Sequence, residues 1–114
     1  MSMTFESASS RNRLRTRLLF TAREECDAIL RPMKKQYPQL KSTGLRFEDK
    51  PDSKMIASGV LPEYKSACRD GDVILFLFNI YDTGKNATDY RENVRRILLR
   101  ELGDLIGEDL AGQE

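Results

Sequence analysis

The chain has 114 residues, 39% hydrophobic and 32% charged, with a net charge of +1. That length suits one compact domain, and the balance is that of a globular chain whose overall charge names neither nucleic acid nor membrane as a partner. It contains no histidine, which removes Ser–His and Cys–His nucleophiles and imidazole-ligated metal from the candidate chemistries.

Residues 1–17 form a basic segment, with Arg11, Arg13, Arg15 and Arg17 following an unperiodic, small and polar start over Met1–Ser10. The expected organisation is a flexible basic arm over 1–17 and a single domain over 18–114. Leu18-Leu19-Phe20 is too short for a signal-peptide core but offers apolar surface for a dimer or partner contact. Thr21-Ala22-Arg23-Glu24 is a capping-box pattern, and Ala22, Cys26, Ile29, Leu30 and Met33 share a helical face. A helix is therefore expected from Thr21 or earlier to Gln36, with Arg11–Phe20 left unassigned. Pro32 interrupts it, and Tyr37-Pro38 ends it.

Leu45-Arg46-Phe47 alternates as a short strand does, and Met55–Leu61 is a weaker strand candidate. The longest apolar run is Val73–Tyr81, launched by the Asp70-Gly71 turn and closed at Asp82-Thr83-Gly84. Continuous apolarity predicts a strand buried on both faces, central in its sheet. A second helix is expected over Thr88–Ile106, capped by Thr88 or Asn86, with Asp89 in its first turn and Gly107 at its C-terminal stop. The fold class is α+β: a small mixed sheet of about three strands, with an N-terminal and a C-terminal helix packed on it.

On that last helix, taking Tyr90 as zero, the apolar arc spans Ile97, Val94, Leu105, Leu98 and Leu102. Glu101 falls inside it at roughly 20°, with Arg100 at roughly −80° and Asp104 at roughly −40° on its flank. A carboxylate there needs a partner, for which Arg100, Tyr81 or another donor qualifies. Arg100 and Asp104, at i and i+4, are placed to bridge, either as a buried ionic cluster with Glu101 or as an ordinary surface pair.

Three segments together resemble the small bacterial minimal zincins, a metallopeptidase family. They are Glu48-Asp49-Lys50-Pro51, Gly71-Asp72-Val73-Ile74-Leu75-Phe76, and Val94-Arg95-Arg96-Ile97-Leu98-Leu99-Arg100-Glu101-Leu102-Gly103-Asp104-Leu105-Ile106-Gly107-Glu108-Asp109. In that family the helix reads V-R-R-T-L-L-H-E-I-G-H-H-F-G-L-D. Its two histidines, one helical turn apart, hold zinc, and the intervening Glu is the general base. The resemblance implies that Arg100 and Asp104 occupy the histidine positions, Glu101 the general base, and Asp109 a third acidic ligand position. A guanidinium has donors only and cannot ligate a metal. Without a metal to acidify water, Glu101 has no nucleophile to generate.

The expectation is a non-catalytic relative of these peptidases that binds or regulates an unidentified protein or peptide. It carries no catalytic residues, cofactor or metal. Alternatives are a peptidase with oxygen ligands from Glu101, Asp104 and Asp109, and an accessory factor that binds protein or RNA through the arginine-rich N-terminus. Cys68 activated by Lys65 is a further nucleophile candidate. Apart from the charge asymmetry, no pattern supports nucleic acid. Two thiols, Cys26 and Cys68, make no disulfide framework, and no run of about 18 apolar residues exists to span a membrane. The cytoplasm is the expected compartment.

Overall fold

The computed structural model describes residues 2–84 and 86–108, with side chains from Ser10 onward. Met1 and Asp109 lie outside the described residues. Helix α1 spans Ser2–Gln36 and runs without a break through Arg11–Phe20 and across the 17/18 boundary. Thr21 therefore sits inside a helix instead of capping one. The predicted stripe faces the core: Ala22, Cys26 and Leu30 are buried, joined by Leu18, with Ile29 and Met33 packed beside them. Pro32 is exposed and within the helix, on a side where water can serve the backbone acceptor that its ring leaves without a donor. Tyr37 turns extended before Pro38 and ends the helix (φ −121°, ψ 99°).

Strand β1, Gly44–Glu48, follows where alternation placed it. The second candidate strand is overturned: Ser53–Ala57 is a short helix, α2. The Asp52 carboxylate accepts from the Met55 amide at 2.8 Å, and Gly59, at φ +107°, reverses the chain after it. A local cap outweighed a weak β pattern. The true second strand, β2, is Ser66–Arg69, joined to β3, Asp72–Phe76, by Asp70 and Gly71 at φ +53° and +84°. Positive φ at both central residues is the hairpin turn whose twist matches paired strands. The sheet order is β1-β3-β2, with β1 parallel and β2 antiparallel to β3. β3 is central, as its apolarity predicts.

Its length is corrected. The strand stops at Phe76, and Leu77–Asp82 forms helix α3. Phe76 pairs with Glu48, the last residue of β1, while β2 begins opposite Leu75. Beyond that point the ladder thins to one bond, from the Phe78 amide to the Asp49 carbonyl at 3.1 Å, and the chain otherwise satisfies its backbone as a helix. Asn79, buried in α3, donates to the carbonyls of Pro62 and Tyr64 at 2.8 and 2.7 Å and holds the approach to β2.

Helix α4 spans Ala87–Ile106; Asn86 accepts from the Asp89 amide at 2.9 Å, and Gly107 closes it at φ +76°. The sheet separates two cores. Val73 and Leu75 of β3, with Leu45 and Phe47, point to α1 and α4; Ile74 and Phe76 point to Met55 of α2. The larger core includes Val94, Leu98 and Leu102 of α4, all fully buried.

Candidate functional site on the α4–β2 edge

Helix α4 lies along the β2 side of the sheet. In β2, Ser66 and Cys68 stand opposite Leu75 and Val73 and so share their helix-facing side. This alternation brings Ser66 to Glu101. Glu101 is half-buried, and its pKa is raised chiefly by burial, then by the nearby Asp104 charge. The Arg100 charge and the neighbouring Ser66 hydroxyl act in the opposite direction. Ser66 is thus a donor beside Glu101. Tyr81 lies on α3, edge-on to Tyr90 at 6.3 Å.

Arg100 and Asp104 are both exposed, and among the described residues no ion pair joins them. The buried ionic cluster does not form. On the apolar arc, Tyr90, Val94, Ile97, Leu98 and Leu102 are buried, whereas Leu105 is 40% exposed and belongs to the surface. Gly103 is buried as well.

Cys68 is exposed on β2, its thiol pKa raised by desolvation and by the charges of Glu101, Asp104 and Asp72. Burial and these carboxylates both disfavour the thiolate, and Lys65 is not among the groups acting on it. Cys26, buried in α1, is pushed up to about 12 by burial and is inert.

The residues do not fit zinc. Arg100 offers no lone pair, and no group of three or more His, Cys, Asp or Glu among the described residues is placed to hold an ion. Glu101 and Asp104 lie with Arg100 near Cys68 at the β2 edge, so charges of both signs meet there. β2 is an outer strand of the sheet there. β3 has both edges paired, so no peptide can add beside it; among the described residues the outer edges belong to β1 and β2.

A cleft of about 470 Å³ opens near the other end of α4, between α1 and the α3–α4 corner, lined by Leu14, Arg17, Tyr81, Asp82 and Tyr90 among others. It sits roughly 16 Å along the helix axis from Glu101, counting eleven residues from Tyr90. The basic arm is also partly spent on the fold. Arg15 pairs with Asp49 at 2.9 Å, and Arg11 stacks over Phe78 at 5.0 Å, so Arg13 and Arg17 carry what remains of that surface. Among the described residues no helix is long and apolar enough to cross a membrane. Compared with known protein families, curated proteins and solved structures, the chain matches none.

Proposed function

We propose that this chain is a non-catalytic binding module on a zincin-like scaffold, taking an extended, basic protein segment along the β2 edge beside α4. The observation that carries the reading is the setting of Glu101. It lies half-buried beside Ser66 of β2, while the two positions that the zincin pattern gives to metal ligands are a guanidinium and an exposed carboxylate. A general base without a metal has no activated water to use, but an outer strand bordered by acids has backbone groups and charge to offer a peptide.

Retention of lysine- and arginine-rich peptides from a library, weakened by Asp104→Lys, is the expected result. A library from which nothing is retained removes the binding reading. Cleavage of casein with added divalent ions that disappears in Glu101→Gln overturns the non-catalytic one. The scaffold relationship has its own check: Arg100→His combined with Asp104→His is expected to bind zinc by calorimetry where the parent does not.

A further inference from the structure

We infer that two copies of this chain pair antiparallel through the free edge of β1, on a two-fold axis beside Phe47, giving one sheet continuous across both. β1 is the outer strand opposite β2 and carries no proline, lysine or bulge, its register with β3 running unbroken from Gly44 to Glu48. Proline, lysine and bulges are among the devices that block a solvent-facing edge; the charges that β1 does carry, Arg46 and Glu48, are of opposite sign and oppose only registers that set like against like. Along it lies a groove of about 540 Å³ between α1 and β1, bordered by Leu19, Arg23 and Asp27 on the helix side.

The charge order selects the occupant. A two-fold perpendicular to a sheet maps each face onto itself, so residues set opposite one another share a face and the axis must pass through a residue position. Centring on Arg46 or on Glu48 sets each against its own copy, like charge on like. Centring on Leu45 overlaps the strands over three residues, as Phe47 does, but sets Arg46 opposite Gly44 and pairs no opposite charges. Centring on Phe47 places Arg46 opposite the second copy's Glu48, the reciprocal pair beside it, and Phe47 against itself on the helix side. Arg46 and Glu48 already approach to 3.4 Å within one chain and stay 45% and 41% exposed, so each has surface left for a second partner.

On helix α1, Phe20, 67% exposed, lies three residues before Arg23, and Arg23 four before Asp27, on the flank that borders the groove. The strand carries one cation and one anion in an order that complements itself when reversed. A foreign peptide has no such constraint to satisfy; a second copy meets it at two contacts.

Sedimentation equilibrium on the full chain, over a concentration series reaching the sub-millimolar range, tests this with Arg46→Glu and Glu48→Arg. Both positions are at the surface, and circular dichroism checks that each variant is folded. The parent is expected to dimerise, and each reversal to weaken the dimer by roughly tenfold or more, since both symmetric contacts turn repulsive. An equimolar mixture of the two variants is expected to recover a one-to-one heterodimer near parental affinity, because acidic then faces basic at both contacts. A monomeric parent, a dimer indifferent to either reversal, or a mixture no tighter than its components overturns the inference. So does a monomer whose β1 amides become protected only on adding an unrelated peptide.

Discussion

Asn79 is the polar residue inside the apolar run from Val73 to Ile80, and its two bonds tie α3 to the segment entering β2. Replacing it by Ala removes two donors from the carbonyls of Pro62 and Tyr64. At about 0.5–1.5 kcal/mol net per bond, the loss is about 2 kcal/mol. For a domain of this size that lowers the melting temperature by roughly 10 °C. Asn79→Asp keeps the shape but reverses the chemistry, since an ionised carboxylate faces two carbonyl oxygens with nothing to donate. Its cost is about 3–5 kcal/mol at neutral pH. Burial and the carbonyl dipoles raise the introduced carboxyl's folded pKa above its unfolded value. The penalty is therefore largest once the group is ionised and shrinks as pH falls, when the protonated form can donate to one carbonyl. Urea titrations of the three proteins between acidic and neutral pH measure both effects. An Asp variant within about 0.5 kcal/mol of the parent, or one whose deficit does not vary with pH, refutes the claim that this side chain anchors the turn.

Glu101 has a raised folded pKa, so its ionised form weakens the fold as pH rises through that value. Glu101→Gln is expected to match the parent in acid and exceed it at neutral pH, by about 1 kcal/mol or less because the site is half exposed; a constant or inverted difference across the titration contradicts the burial of this carboxylate beside Asp104. Arg100→Ala, at an exposed position without an ion pair to Asp104, is expected to change stability by no more than about 0.5 kcal/mol in denaturant, and a loss of several kcal/mol would restore the buried cluster. Gly71→Ala forces a side chain into φ +84° and is expected to cost about 1 kcal/mol, read as a lowered thermal midpoint. Tyr90→Phe removes the 2.7 Å bond from its hydroxyl to the Leu18 carbonyl, an expected loss of about 1 kcal/mol that leaves the α1–α4 packing intact by near-ultraviolet dichroism.

The helices that bury a stripe were legible because periodicity and caps agree. In α4 the Asn86 cap, the arc from Tyr90 to Leu102 and the Gly107 stop all mark the same limits. The start of α1 was not, although Leu14 and Leu18 continue the Ala22–Cys26–Leu30 stripe at four-residue steps; around them stand arginines, of which Arg11 lies over Phe78 and Arg15 pairs with Asp49, so only two apolar positions carry the period there. The strand-to-helix change at Phe76 hides for a different reason. A buried strand and a buried helix both read as continuous apolarity, and what divides them is where β1 and β2 run out of partner residues.

The candidate site has the same character. Spacing placed Glu101 on the inward arc and required a donor, but Ser66 sits in a strand with almost no apolar pattern of its own. One signal was available: an Asp-Gly hairpin turn needs a strand on each side. Pairing outward from the turn sets Arg69 opposite Asp72, Cys68 opposite Val73 and Ser66 opposite Leu75. The alternation of that strand puts Ser66 and Cys68 on the face of Val73 and Leu75, which is the face α4 covers. The turn therefore fixes which β2 side chains can reach Glu101, and a hydroxyl at Ser66 is the donor within that set.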